Sequence, residues 1–396
     1  HNAINYIQEN SFYGLIGLKH LDLSFNYISE FNRKMFAHAL NIEELQFTQN
    51  NVTAIADNAF KYLKLKYLYT DNYRLCCLGR AENLICKATF SVLSSCEDLL
   101  AHNAVKIAIW IMGLMSFFFN SISMLIHLRK KKIAVNDMLV TALNMSDICF
   151  GIYLCILAII DLQLRGNFVG QEVQWKSGIL CKVISVLSLF SITFSSYMLF
   201  LITLVRHQIT TNPINTQFKQ IKSTFKYLIT GAVVIASLCA TAAMSFFLFE
   251  GHNLAPNPSC LFLGSGASSL SMLLTTSFVS GLQILSLILI SILYAHLLIA
   301  LSSADKSITR SRKQRSVRKI SFKLVLVTVT NIMCWVPSSV IYFLILIKYP
   351  ITPQMIAYTV VFILPINSAV NPCIFTFTTE VFSSFTCLVQ KPIKGF

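Results

Sequence analysis

The chain has 396 residues, 55% of them hydrophobic and only 12% charged, with a formal net charge of +15. No HExxH, P-loop, GxGxxG or plausible catalytic triad appears, and the eight histidines are scattered, which argues against an enzyme. The basic residues are divided among connections between apolar stretches, which argues against a nucleic-acid partner.

Residues 1–70 repeat with a period of 24, inside the range for leucine-rich repeats. Leu18, Leu21, Leu23, Asn26, Ile28, Phe31 and Phe36 recur in phase as Ile42, Leu45, Phe47, Asn50, Val52, Ile55 and Phe60. Asn2, Ile4, Ile7 and Phe12 hold the same phase one step back, and a third strand is expected at Leu65–Tyr69. The repeats open mid-unit with no amino-terminal cap, so the chain is expected to be the carboxy-terminal part of a larger protein. Strand residues between the leucines should face outward, and Asp22, Glu44 and Asp71 among them are the candidates for contact with a basic ligand. Asn51-Val-Thr53 is a glycosylation acceptor.

Residues 71–103 form a cysteine-rich hinge. Adjacent cysteines rarely bond to each other, so Cys76, Cys77, Cys86 and Cys96 allow two patterns: 76–86 with 77–96, or 76–96 with 77–86. Zinc is a weaker reading, because paired C-x-x-C units are absent.

Seven apolar stretches then follow, at 104–127, 136–160, 181–205, 227–249, 270–300, 320–347 and 354–378. Each is long enough to cross ~30 Å of hydrocarbon as a helix. Within lipid the backbone must bond to itself, so helices are required. A soluble fold would have to bury all of them together. Lys130–Lys132, Arg206, Lys219, Lys222, Lys226, the run Lys306–Lys319 and Lys391 lie on one side; Arg165, Lys176 and Lys348 lie on the other. The positive-inside rule places the amino terminus outside and the tail in the cytoplasm. An amphipathic segment from about residue 379, with Phe382, Phe385 and Leu388 on one face, is expected to lie on the inner leaflet, ahead of a short tail ending at 396. Cys387 there is a candidate for acylation. The expected fold is an all-α seven-transmembrane bundle over 104–378, preceded by a partial leucine-rich-repeat α/β solenoid.

The spans carry an ordered set of landmarks: Asn120; Leu143-Asn-Met-Ser-Asp147; Cys181 and Arg206 at opposite ends of the third; Cys260; Cys334-Trp-Val-Pro337; and Asn367-Ser-Ala-Val-Asn371-Pro372-Cys-Ile-Phe375. The set resembles the rhodopsin-like G-protein-coupled receptors. Cys96-Glu-Asp-Leu-Leu100, Gly151-Ile-Tyr-Leu154, Asp161-Leu-x-Leu-Arg-Gly166 and Thr376-Phe-Thr-Thr379 are similar to the leucine-rich-repeat hormone receptors, and among them to the relaxin-receptor branch. That resemblance implies a plasma-membrane receptor that captures a relaxin-like peptide hormone on its repeats, passes the signal through the hinge and couples to heterotrimeric G proteins, commonly raising cyclic AMP. The alternatives are a cystine-knot glycoprotein hormone as ligand, or an adhesion or scaffold receptor with little G-protein coupling.

The resemblance further implies a Cys181–Cys260 disulfide, a polar core of Asp147, Ser195, Asn367, Ser368, Asn371 and Asn120, and a sodium ion at Asp147 as the one cofactor. It also implies an activation switch of Arg206, Trp335, Pro337 and Pro372. Pro337 and Pro372 should bend their helices, since each removes a backbone donor. Five positions depart from the pattern. Val205 replaces the acid before Arg206, His207 the aromatic after it, Phe375 the tyrosine of the seventh span, Leu228 the tryptophan of the fourth, and Phe119 the glycine before Asn120. The sixth-span stretch Ser316-Val-Arg-Lys319 has no acid either. A weakly held resting state with raised ligand-free activity is therefore expected, or alternatively poor coupling.

Overall fold

The computed structural model describes most of residues 2–211, together with 228–236, 259–261, 270–306, 326–347 and 358–377, with short interruptions inside those ranges. Asn51, most of the fourth span, the stretch 307–325 and everything from 378 onward, including Cys387, lie outside the described residues. The chain divides into two compact units, one comprising His1–Ala101 with Leu164–Gln171, the other His102–Gln163 with Glu172–Phe396.

In the first unit, β1 (His20–Asp22), β3 (Glu44–Phe47), β5 (Tyr67–Thr70) and β6 (Ile85–Lys87) form a parallel sheet in the order β1-β3-β5-β6. β2 (Glu30–Phe31) and β4 (Ala54–Ile55) pair separately on the returning arm of each repeat. Register follows the repeat: His20 pairs with Glu44 and Glu44 with Tyr67, one residue short of a full second period. Alternation sends Leu45 and Leu68 inward, both fully buried, and leaves Glu44, Gln46 and Tyr69 partly open. Phe31 sits at the centre of an aromatic cluster, its ring 5.3, 5.2 and 4.9 Å from Phe36, Phe47 and Phe60.

The repeat asparagines hold the turns. Asn50 Nδ2 donates to the Leu23 and Thr48 carbonyls while its Oδ1 accepts from Ile28 N–H, and Asn26 does the same for the unit before, accepting from Ile4 N–H. One side chain thus satisfies backbone groups that strand pairing cannot reach. The third strand starts at Tyr67, not Leu65, which stays in the core just ahead of it.

β6 has no leucine-repeat signature. It is held by covalent bonds: α1 (Tyr73–Leu78), capped by Asn72 at Arg74 N–H, carries Cys76 to Cys86 and Cys77 to Cys96. In the same unit the hinge meets residues 164–171. Phe168 N–H donates to Glu97 O, Val169 N–H to Cys96 O, and Gly166 N–H to the Asp98 carboxylate at 3.1 Å. Gly166 has φ +84°, a left-handed conformation that favours glycine. Phe168, Leu99 and Leu100 are buried there.

The second unit is helical. α2 (Asn103–Leu128), α3 (Val135–Gln163), α5 (Ile179–Thr211) and α6 (Leu270–Lys306) contain the stretches that, among the described residues, are long and apolar enough to cross a bilayer. α4 (Phe168–Ser177) is a helix in the connection between α3 and α5 that hydropathy did not suggest. The sixth span is described as α7 (Val329–Ile341), which continues through Pro337. The seventh is α8 (Leu364–Pro372) between two π turns, Thr359–Ile363 and Cys373–Phe377. Pro372 ends the α-helical part, consistent with its missing N–H.

α2 is amphipathic in the sense opposite to a soluble helix. Ile107, Ile111, Leu114, Phe118 and Leu125 are exposed, while Gly113, Ser116, Asn120, Ser123 and His127 face the interior. Lipid accounts for that inversion, since it solvates the leucines and isoleucines that water would not. Gly113 and Gly151 let α2 and α3 approach closely: a Cβ on Gly151 would stand 2.8 Å from Phe117 N and 3.1 Å from Gly113 O. Cys181 at the start of α5 is bonded to Cys260, and the Tyr153 hydroxyl donates to Ser259 O at 2.9 Å beside it.

Candidate functional site

Asp147, on α3, is the only acid in a cluster drawn from four helices. Its Oδ1 accepts from the Ser195 hydroxyl (3.2 Å, α5) and its Oδ2 from Asn371 Nδ2 (2.8 Å, α8). Its backbone carbonyl accepts from Ser116 at 2.7 Å and from Ser368 at 3.3 Å. Asn120 closes the group, donating to the carbonyls of Ser116 and Ser368. Ser195, Asn371, Ser368 and Asn120 are all buried, as is the acid.

Beside the acid lies a cavity of about 20 Å³, lined by Asp147, Ser191, Ser195, Trp335, Asn367 and Ser368 among others. One water-sized guest needs roughly 10–15 Å³ measured this way. Among the described residues, Asn367 Oδ1 is buried without a hydrogen-bond partner, and so is Asn120 Oδ1. An oxygen-rich pocket with an unpaired buried carbonyl oxygen and one carboxylate matches the preferences of a hard monovalent cation. The sequence-predicted core residues therefore converge, and Trp335 joins them as part of the wall.

Arg206 lies near the far end of α5. Among the described residues no carboxylate pairs with it; its guanidinium stands 4.9 Å from the centre of the Phe375 ring, over the face of the residue that replaces the expected tyrosine. Tyr294, buried on α6, also interacts with it electrostatically. Cation–π contact is worth about 0.5–2 kcal/mol depending on desolvation. The next residue, His207, meets His296 of α6 with ring nitrogens 2.8 Å apart. Pro337 and Pro372 sit within α7 and at the end of α8, as described above.

In the repeat unit the three acids singled out from the sequence occupy different rows. Glu44 shares a row with His20 and Tyr67, whereas Asp22 is level with Gln46 and Tyr69. Asp22 accepts from Ser24 N–H at 2.8 Å and Asp71 from Gln49 N–H at 2.9 Å, so both tie down turns. Glu44 accepts from Gln46 and from His20, and these bonds hold its carboxyl below the ordinary carboxylate range.

Two families match the sequence in the order in which the units occur. Leucine rich repeat matches residues 16–74, and 7 transmembrane receptor (rhodopsin family) matches residues 119–375, well over half of the chain. The chain belongs to the rhodopsin family of seven-transmembrane receptors. Among curated relatives, G-protein coupled receptor GRL101 of Lymnaea stagnalis is 28% identical over 81% of this chain and 28% of its own length. Relaxin receptor 1 of Mus musculus is 26% identical over 81% of the chain and 42% of its own length. Follicle-stimulating hormone receptor of Sus scrofa is 26% identical over 78% and 43%. The chain thus spans less than half the length of these relatives.

Within this receptor family frame, several residues given no role from the sequence turn out to be structural partners. Ser116 bridges the Asp147 carbonyl and Ser368, and Tyr153 anchors the loop at Ser259. Asp98 caps the Gly166 turn. Ser116 recurs on the Gly113–Asn120 face of α2, a spacing signal that was available in the sequence; Tyr153 and Asp98 lie in stretches that carry the family resemblance, which assigned them no partner.

Proposed function

We propose that this chain is the signalling portion of a cell-surface receptor that senses a relaxin-like peptide hormone outside the cell and promotes nucleotide exchange on a heterotrimeric G protein inside, raising cyclic AMP. The observation that carries the reading is one chain joining leucine-rich repeats, a disulfide-tied hinge and a rhodopsin-family bundle, in an alignment that runs over most of its length with a protein named relaxin receptor 1. The orientation is amino terminus outside. The disulfides lie in and beyond the hinge and at Cys181–Cys260, an oxidising-side distribution, while the lysine- and arginine-rich connections lie opposite.

In the resting receptor, Asp147, Ser195, Asn367, Ser368 and Asn371 would hold a sodium ion in the Asp147 chamber. Its service would be to neutralise a buried carboxylate, which otherwise carries a heavy desolvation cost. Asn120 and Ser116 position that group. Arg206 rests on Phe375 instead of an acid, which makes the resting restraint short-ranged and weak. Trp335 lines the chamber, and Pro337 and Pro372 supply the points at which the sixth and seventh helices repack. Ligand-free activity is correspondingly raised.

A second reading is favoured by one observation: follicle-stimulating hormone receptor is as similar as the relaxin receptors, so a glycoprotein hormone is the alternative ligand class. The test is to express the full-length receptor on cells, apply relaxin-like peptides and glycoprotein hormones separately, and measure cyclic AMP. A response to the peptides alone supports the proposal. A response to neither, from well-expressed surface receptor, overturns it in favour of an adhesion or scaffold role.

A further inference from the structure

Away from Asp147 and Arg206, a buried hydrogen-bond chain crosses the Lys130 end of the helical unit. Asn144 Nδ2 donates to Ser123 Oγ at 2.8 Å, and Ser123 Oγ is bonded to Thr376 Oγ1. Thr376 Oγ1 lies 3.1 Å from His127 Nε2, and His127 Nδ1 lies 2.7 Å from Asp137 Oδ1. The chain joins α2, α3 and the π turn Cys373–Phe377. Its members are almost wholly excluded from solvent, His127 at 4% and Ser123, Asn144 and Thr376 at 0–1%.

The two ends dictate its direction. An amide nitrogen only donates and a carboxylate only accepts. The arrangement that satisfies every member within the chain sends Ser123 O–H to Thr376, Thr376 O–H to His127 Nε2, and a proton on His127 Nδ1 to Asp137. Histidine is therefore neutral in it. Among the described residues, the charged groups facing His127 are Asp137 on α3 and Lys130 just after α2; the π turn presents only Thr376. Lys130 Nζ already donates to Asp137 Oδ1 at 2.9 Å, and Ala134 N–H to Asp137 Oδ2 at 3.0 Å.

We infer that neutral His127 is a positioning residue that holds the Cys373–Phe377 turn, and with it the Phe375 ring under Arg206, and that a proton taken up from the cytoplasmic side releases it. A proton on Nε2 turns the imidazole into a donor at both nitrogens. Thr376 then must send its own hydrogen back to Ser123, whose hydroxyl hydrogen loses its acceptor in the chain. Lys130 must at the same time share Asp137 with a second cation. The turn loses its fixed register, and Phe375 is the adjacent residue.

The latch itself needs only the geometry; its effect on signalling rests on the receptor reading above. The experiment uses the full-length receptor and two readouts. Thermal midpoints in detergent are measured from pH 7.5 to 5.5 for wild type, His127→Gln and Thr376→Val. Ligand-free nucleotide exchange is measured in membranes with added heterotrimeric G protein over the same range. Glutamine keeps one donor and one acceptor without titrating, and valine keeps the volume of threonine without its hydroxyl. The wild-type midpoint should fall on acidification relative to His127→Gln, and its ligand-free exchange should rise roughly fivefold, the equilibrium equivalent of one net hydrogen bond. Thr376→Val should show raised exchange already at pH 7.5. Should His127→Gln fail to reach the membrane, His127→Asn, which likewise cannot titrate, serves as the reference. Midpoints that move in parallel in all forms overturn the latch. Diverging midpoints without exchange at any pH uphold the latch and overturn the coupling reading instead.

Discussion

The repeat unit and the helical unit use the same side chain, asparagine, to opposite ends. In the repeats, Asn26 and Asn50 spend every hydrogen-bonding atom on local backbone, each donating and accepting within a neighbouring turn. In the bundle, the side-chain oxygens of Asn120, Asn367 and Asn331 are buried with no partner among the described residues. A saturated network has one low-energy arrangement, whereas a partly satisfied one has several of similar energy. The first suits a rigid surface for capture. The second suits a core that repacks when its surroundings change, and two of its members, Asn120 and Asn367, lie around Asp147.

The comparison breaks most severely at the α2–α3 contact inside the bundle. Gly151→Leu places side-chain atoms where even a Cβ would stand 2.8 Å from the Phe117 backbone. Overpacking costs about 1–3 kcal/mol or more when backbone must move. Loss of surface expression is expected, read by flow cytometry, while Gly17→Ala, with open space around it, should be tolerated. Next in size is Asn50→Ala, which strands the Ile28 N–H and two carbonyls at once. Leaving buried groups unpaired costs about 1–3 kcal/mol. The repeat unit should melt earlier, with α2–α8 unaffected in a protease-protection assay.

How much of this was legible beforehand depended on whether a residue belonged to a pattern. Leu21, Leu45 and Asn50 recur at a fixed interval, so their shared phase predicted the parallel register of β1 and β3. β6 escaped because Ile85-Cys-Lys87 carries no repeat residue and is placed by disulfides, whose pairing four near-adjacent cysteines leave open. α4 escaped because Phe168–Ser177 is too polar to read as a span and too short to show a period. The Asp147 cluster was legible because its members sit in motifs. Phe375 was read as the loss of a tyrosine, whereas in three dimensions it is the surface on which Arg206 lies. His127 belongs to no motif, and Thr376 only to the Thr376-Phe-Thr-Thr379 stretch, which gives it no partner; only the fold brings these residues, 249 positions apart, together.

Two smaller effects sharpen the contrast inside the bundle. Phe375→Leu keeps an apolar side chain but removes the ring face under Arg206, forfeiting about 0.5–2 kcal/mol of cation–π attraction. Ligand-free nucleotide exchange should rise severalfold, whereas Phe375→Tyr, which keeps the ring, should leave it near the wild-type level. Sodium at a few times its dissociation constant stabilises a binding-competent state by roughly 1 kcal/mol. Wild type should therefore melt higher in sodium chloride than in choline chloride, and Asp147→Asn should show no such difference. Equal melting of wild type in both salts would remove the ion from the chamber while leaving its hydrogen bonds in place.

The smallest effect belongs to the repeat surface, where solvent screens everything. Glu43 accepts from Lys66 at 2.6 Å and pairs with Lys19 at 3.4 Å, and these two cations hold its carboxyl below the ordinary carboxylate range. A carboxyl with a depressed folded-state pKa adds stability above its unfolded value, and that stability disappears as the pH falls through the folded value. Lys66→Ala should move the Glu43 titration upward, as followed by carboxyl NMR of the isotope-labelled receptor, with little change in melting at neutral pH, because solvent screens exposed pairs. The same charge removal in the bundle, Lys130→Ala beside Asp137 and His127, takes away a cation from a mostly buried carboxylate. Its larger effect on melting would show that the two units differ in how far solvent reaches their charges.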